Sequence, residues 1–497
     1  MKKLSFKQTV HFVSRAAVFF AVSVFASQCF AQSSVSDEKV SNFYYLKKLN
    51  SVFDLVQQYY VDEVDPKVLY EGAMKGLMNA FNDPYTSYLD ADTIRDLSDT
   101  TKGKFGGVGL SISKAVESTP EKPAYVEVVS PIEDSPGERA GILAGDYLTE
   151  IAGKPTPEMT MQDVLNELRG EEGTPVTVTV LRGKNISFSV ELVREMIEVP
   201  TVKYGMIQNT GYLRIIQFTP ETPARVQEAI DFFKKSSYAN MIIDLRDNPG
   251  GLITSVVEIA DKFIDEGPIV STKSRIAFEN SVFNAKKENT VVRDIPIVVL
   301  INRGSASASE ILSGALKDNH LAYLVGKRTY GKGSVQQVIP LTESEEIKLT
   351  MARYYTPSDT NIDKIGIPPD LEAGYPDFTE DDEKAYLELI KSNAVDEYVE
   401  AHPGMGEAEI AACAAELKKT YNLDERLLRR LIRIKAVRTQ SNRLYDLDYD
   451  IQLNKALEVL NTTADFNKLV ASTKTLHELQ DEAEQSAAGE KKAVSSK

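Results

Sequence analysis

The sequence predicts a multidomain α/β protein, and three patterns predict it. From 194 to 373, apolar runs such as "GYLRIIQF", "NMIIDLRD", "IPIVVLIN" and "AYLVG" alternate with helix-like segments such as "PARVQEAIDFFKKS", "TSVVEIADKFID" and "ASEILSGALKDN". Strand followed by helix, several times over, is the pattern of a largely parallel sheet with buried strands. From 101 to 193 five short strand-like runs, punctuated by Gly and Pro and joined by one helix, describe a small β-rich domain placed ahead of that core. On either side, apolar spacings of three and four predict helices. At 497 residues the chain exceeds the size at which one core keeps growing, so several domains are expected.

Residues 1–31 read as a processing segment. Lys2, Lys3, Lys7 and Arg15 precede an apolar run from Ala16 to Ala26, and Cys29 and Ala31 have the spacing for cleavage after Ala31. The run is shorter than the about 20 residues a bilayer span needs, so a cleaved export signal is expected, with an uncleaved anchor as the alternative. The protein is then expected in the periplasm or cell envelope of a bacterium. Removal of the signal leaves Cys413 as the remaining cysteine, so no intrachain disulfide holds the exported fold.

Residues 32–100 are predicted helical. Leu46, Leu49, Phe53, Val56 and Tyr60 make one face, a second helix is entered through Pro66, and "NDPYTS" at 82–87 reads as a turn. Residues 374–480 form a C-terminal extension of amphipathic helices, and the tail 481–497 is low in complexity and predicted to be disordered. The basic run Arg429 to Arg438 reads as a solvated helix face. A net charge of −16 disfavours nucleic acid as a partner. Peripheral membrane association and homo-oligomers through the C-terminal helices remain open.

Three loops leave strand ends in the α/β region, where catalytic groups of such sheets gather. In "DLRDNPGGL" the Gly250-Gly251 pair can turn backbone N–H groups toward an oxyanion, or simply turn the chain. In "INRGSASASEIL" three serines alternate with alanines where a helix begins, as nucleophile or as caps. In "LVGKRTYGKGSVQQ" Gly326 and Gly331-Lys332 nearly form a phosphate loop, but Gly333 replaces the required hydroxyl and the following residues read as strand rather than helix. A serine nucleophile needs a base, and of four histidines only His320 falls in this region, after a helix. A lysine can serve if burial keeps it neutral, which takes roughly 4 kcal/mol of differential desolvation.

Here the residues resemble a known family, the carboxyl-terminal processing, or tail-specific, serine proteases. The likeness runs over most of residues 40–373 through "AMKGLMNAFNDPYTSYL", "FGGVGLSI", "SPGERAGILAGDYLTEIAG", "IIDLRDNPGGL", "RGSASASEILSGALKDN", "VGKRTYGKGSVQQ" and "LTMARYYTPSDTNIDKIGIPPD", in the family's order. It implies a crotonase-like α/β protease core with an inserted PDZ domain at 101–193. It implies Ser307 as nucleophile, Lys332 as base, Gln336 as the residue orienting the lysine, and the N–H groups of Gly251 and Ala308 as the oxyanion hole. Lys332 and Gln336 are expected on one face of a strand, and Ser305 and Ser309 in supporting roles.

The same resemblance makes "GGVGL" the carboxylate-binding loop, with the N–H groups of Val108, Gly109 and Leu110 receiving a terminal carboxylate and the strand from Leu110 pairing with the peptide. Val164, Leu165 and Leu168 would line the pocket for the last side chain, and Arg169 would link this domain to the active site. The implied partners are proteins with exposed apolar C-termini; no metal and no cofactor is called for. A catalytically inactive PDZ scaffold and a phosphate-loop NTPase are the alternatives.

Overall fold

The computed structural model describes residues 42–115, 123–132, 135–143, 145–183, 186–374, 378–436 and 444–495; the expected export signal lies outside them. Two compact units divide the chain after Phe81. In the first, helices span Asn42–Tyr59 and Pro66–Asn79. Asp65 caps the second by accepting the Lys67 N–H at 2.8 Å, and Pro66 fills the first helical position, where a missing N–H costs nothing.

In the second unit, six strands make the core sheet: β1 Val202–Ile207, β2 Thr210–Ile215, β3 Asn240–Asp244, β4 Ile297–Ile301, β5 Tyr323–Gly326 and β6 Leu371–Glu372. They lie side by side in that order, β1 antiparallel to β2 and every other neighbour parallel. Three crossover helices join them: α1 Thr222–Lys235, α2 Ile253–Ala260 and α3 Ala308–Asp318. The strand order never reverses and parallel crossovers are right-handed, so all three helices fall on one face of the sheet. There Leu213, Ile243, Val299 and Leu324 meet Val226, Ile230, Val256, Ile259, Ile311 and Leu312 in one buried cluster.

That winding leaves the opposite face bare. Its alternate residues, Tyr212, Ile242, Val298, Leu300 and Val325, are covered by helices from much later in the chain, α4 Ile451–Thr462 and α5 Phe466–Ala471, through Leu453, Ala456, Phe466 and Val470. Burial of each of the larger apolar side chains among them stabilises by roughly 1.5–3 kcal/mol. A buried ion network fixes the junction: Arg246 pairs with Asp244 at 2.6 Å and with Asp450 at 2.7 Å, and the Tyr212 hydroxyl donates to Asp244 at 2.7 Å. The C-terminal extension read from the sequence is therefore two things. Four helices over residues 380–436 build a core of their own around Leu389, Ile410, Cys413, Leu428 and Ile432, whereas α4 and α5 complete the protease sheet. The last helix, Leu476–Ser495, runs through the stretch expected to be disordered; its Ala, Glu, Gln and Lys content is rich in strong helix formers.

A second sheet flanks the core. Its long strand Glu346–Tyr355 pairs with Ser334–Pro340 on one edge, and with Ser87–Leu89 and Pro268–Ser274 on the other. The β-rich domain has strands 110–114, 126–131, 147–151, 175–182 and 186–193 in that spatial order, all antiparallel, around Val126, Val128, Leu148, Ile151 and Val178. The chain enters it along Lys104–Gly107 and leaves along Glu195–Glu198, two strands paired with each other.

Candidate active site

The loop after β3 and the loop after β4 are sewn together before any side chain is free to react. The Asn302 carboxamide accepts the N–H groups of Asp247 (3.0 Å) and Gly304 (2.9 Å) and donates to Asp247 Oδ1 (2.9 Å). Ser305 Oγ donates to the Leu245 carbonyl at 2.8 Å and Ser309 Oγ to the Asn248 carbonyl at 2.9 Å; both serines are fully buried. Ser307, between them, is half-exposed, and its hydroxyl has no hydrogen-bond partner among the described residues. The alternation of three serines thus resolves into two structural hydroxyls and one unengaged one.

Ser307 sits at φ +55°, ψ −114°, a conformation costly for a residue with a Cβ, on the sharp turn into α3. Gly250 and Gly251 make this turn possible from the other side, with φ of +105° and +145°. A Cβ on Gly250 would stand 2.8 Å from Ser307 Cβ, and one on Gly251 2.1 Å from the Phe218 carbonyl oxygen. The N–H groups of Gly251 and Ala308 have no hydrogen-bond partner among the described residues. Two unpaired N–H groups flanking a strained serine can receive a developing oxyanion.

Glu310, which the sequence reading passed over, ties the serine loop to the lysine loop. It is fully buried. Its Oε2 accepts the N–H of Ser307 at 2.8 Å and the N–H of Lys332 at 2.9 Å, while Oε1 accepts the N–H of Gly331 at 2.7 Å and Thr329 Oγ at 2.6 Å. Burial pushes this carboxyl up from its ordinary range, and the four donors counter that only in part. Tyr354, also buried, places its hydroxyl 2.5 Å from the Lys332 carbonyl and 3.3 Å from the Ser307 carbonyl. Ser307 and Lys332, 25 positions apart in the chain, thus have their backbones clamped to the same two side chains. The spacing Ser307-Ala-Ser-Glu310 is that of a capping box, a signal by which the sequence could have disclosed the carboxylate.

Lys332 lies in the loop before the strand Ser334–Pro340, and no helix follows it, so the phosphate-loop architecture is missing. Its amine stands 4.8 Å from the centre of the Tyr85 ring. Burial lowers the amine's pKa and the charge of Lys348 lowers it further; Glu310 and Asp83 pull the other way, and the result stays below the ordinary lysine value. Asp83 is itself pushed up by burial, but hydrogen bonds from Thr350, Thr86 and the Tyr85 N–H, with the charge of Lys332, hold it below the usual carboxylate range. Asp83 and Tyr85 come from the stretch read only as a turn; pairing of Ser87–Leu89 with the long strand brings them here.

Two expectations are corrected. Gln336 does not share a regular strand face with Lys332, because the lysine precedes the strand and a register shift intervenes at Val335/Gln336. The Gln336 amide donates to Ser334 Oγ at 2.9 Å and Thr350 Oγ at 3.3 Å, and Thr350 Oγ donates to Asp83 at 2.6 Å, so its route toward the amine runs through Thr350 and Asp83. In the β-rich domain, Val164 and Leu168 are buried in that domain's core rather than lining an open groove, which leaves Leu165 half-exposed. Arg169 pairs with Asp96 and Asp99 of the helix Ala91–Lys102, at 3.5 Å for Asp99, and that helix in turn accepts Gln217 Nε2 at its Thr100 carbonyl (2.8 Å).

Val108 is buried, and Gly109 has φ +70° where a Cβ would strike Ser135. The N–H groups of Val108 and Gly109 have no partner among the described residues. The strand from Leu110 to Lys114 lies at the edge of its sheet, with one side unpaired among the described residues.

Comparison with known proteins gives these features a family. Residues 209–373 match the model of peptidase family S41, 127–182 that of a PDZ domain, and 12–93 that of the activating protease CtpB N-terminal domain. A carboxy-terminal-processing protease of Bartonella bacilliformis is 39% identical over 370 residues, covering 73% of this chain and 83% of that one. The carboxy-terminal processing protease CtpA of Bacillus subtilis is 32% identical over 332 residues, covering 67% and 69%. Among solved structures, the photosystem II D1 C-terminal processing protease aligns with a TM-score of 0.42 at 28% identity, over 67% of this chain and 93% of that one. The extent and identity of the sequence relatives decide it: the chain belongs to the carboxy-terminal-processing proteases of peptidase family S41.

Proposed function

We propose that this protease is exported, uses a Ser307-Lys332 dyad, and cuts proteins near their C-termini after its PDZ domain has captured the terminal carboxylate. The observation that carries the dyad is the Glu310 oxygen shared by the N–H groups of Ser307 and Lys332, beside the one hydroxyl of three that no carbonyl engages. Neutral Lys332 takes the Ser307 proton as Oγ attacks the scissile carbonyl carbon. The oxyanion rests on the N–H groups of Gly251 and Ala308. Collapse breaks the C–N bond, and the lysine proton goes to the leaving amine. Water then attacks the Ser307 ester with Lys332 again accepting a proton, the acid is released, and the serine regains its hydrogen. Gln336 steadies the site through Thr350 and Asp83.

Capture is supported by the open edge of the strand Leu110–Lys114 and by the unpaired N–H groups at Val108 and Gly109; with the Leu110 N–H they form the carboxylate nest, and the peptide adds as a further strand. Export rests on residues 1–31 and is tested by fractionating cells and sequencing the mature amino terminus. The dyad is tested by incubating the signal-less protein with an unfolded substrate bearing an apolar C-terminus. Wild type cleaves, and Ser307→Ala and Lys332→Ala lose cleavage by roughly three orders of magnitude or more. Undiminished cleavage by either variant overturns the assignment, and an inactive wild type that still binds the peptide favours a scaffold.

A further inference from the structure

A cavity of about 580 Å³ opens between the carboxyl ends of the core strands and the start of α4, apart from the Ser307 hydroxyl and the Lys332 amine. Arg214 comes from the end of β2, Arg246 follows β3, Arg303 follows β4 and Lys327 follows β5, with Arg430 reaching in from the C-terminal helices. The carboxyl ends of parallel strands are where open α/β sheets bind ligands. Five cationic side chains face three carboxylates, Asp247, Asp446 and Asp450, in a chain whose net charge is −16.

The cations differ in how they are held. Arg246 is saturated by Asp244 and Asp450, and Lys327 stands 3.1 Å from Glu372. The side chains of Arg214 and Arg303 make no hydrogen bond or ion pair with any described residue. Arg214 is half-buried, and its Nε is out of reach of solvent with no partner. An unpaired buried donor on a charged group is costly, and native proteins keep few of them. A guanidinium presents a planar fork that matches two oxygens of one anion. We infer that this cavity binds a small, multiply charged oxyanion of the phosphate type between Arg214 and Arg303. Its volume falls within the range of small-ligand sites. Its wall is made by Asp247 and Asn302 to Gly304, residues of the two loops that carry Gly251 and Ser307 farther along the chain.

The experiment is titration calorimetry on the full signal-less chain with inorganic phosphate, pyrophosphate and malonate, against sodium chloride at matched ionic strength. Saturable binding of pyrophosphate or phosphate is expected, weakened about tenfold or more by Arg303→Ala and by Arg214→Gln, since each removes charge-assisted hydrogen bonds. Arg303 is exposed, so its variant tests the site even where Arg214→Gln unfolds the chain. The inference is overturned by no saturable binding of any of the three anions, or by binding that Arg303→Ala leaves unchanged. Malonate binding more tightly than pyrophosphate overturns the phosphate assignment.

Discussion

The loops around Ser307 and the PDZ domain that would feed them are attached to the fold in different ways. Around Ser307, buried groups bind buried groups: Glu310 takes four donors, Ser305 and Ser309 stitch one loop to the other, and Tyr354 touches the carbonyls of both proposed catalytic residues. The PDZ domain is tied by a two-strand stalk and by partly exposed charges, Arg169 to Asp96 and Asp99, Lys104 to Glu221 at 3.2 Å, and Arg225 to Glu198 at 3.4 Å. The largely exposed pairs of Lys104 and Arg225 are worth little, with a median near 0–1 kcal/mol, whereas the Arg169 pair is part-buried. The difference teaches a division of labour: the loops around Ser307 are pre-assembled by buried hydrogen bonds, while the PDZ domain is joined to the rest by a short stalk and a few charge pairs.

The largest break in that contrast comes from Glu310→Gln. The amide cannot accept from all four donors, and at least one buried N–H loses its partner. A loss of about 3 kcal/mol in the geometry of the dyad, or roughly a hundredfold in kcat, is expected. Single-turnover cleavage of a short peptide checks it, and kcat within a few fold of wild type would show that the clamp is dispensable.

Lys348→Gln sharpens the electrostatic half of the same site. In the proposed dyad the amine of Lys332 works only when neutral, so kcat/KM is expected to rise with pH as its proton leaves. Removing a nearby like charge favours the protonated amine and raises its pKa, so the rising limb moves to higher pH. A pH–rate profile measures this, and a shift to lower pH contradicts it. The smallest effect is expected from Arg169→Ala: faster hydrogen exchange in the helix Ala91–Lys102, with kcat on a short peptide unchanged. Equal exchange in both proteins would mean that this contact does not hold the domain.

Much of this was legible in the sequence where the signal is local. The five short strands of the β-rich domain and the strand-helix alternation of the core follow from periodicity and glycine punctuation, and each recurs in the structure near its expected place. What escaped depends on which segments meet. Nothing in "NDPYTS" tells that Tyr85 stands against Lys332, because that contact is made by a strand pairing more than 250 positions away. The apolar helices after residue 444 show that they are amphipathic but not that a bare sheet face awaits them. Val164 and Leu168 have the right helical spacing for a groove, yet the same spacing serves a core, and in this domain the core takes them.

The one-directional winding of the core sheet also sets an order of events. A chain made from its amino end presents β1 to β6 with α1 to α3 well before Leu453, Phe466 and Val470 arrive to cover the second face. Until then Tyr212, Ile242 and Val298 face water, and the Arg246 loop next to the Gly250-Gly251 turn lacks its Asp450 partner. The helices after residue 444 therefore close the core last: until they dock, one face of the protease sheet and the partner of Arg246 beside the Gly250-Gly251 turn are missing.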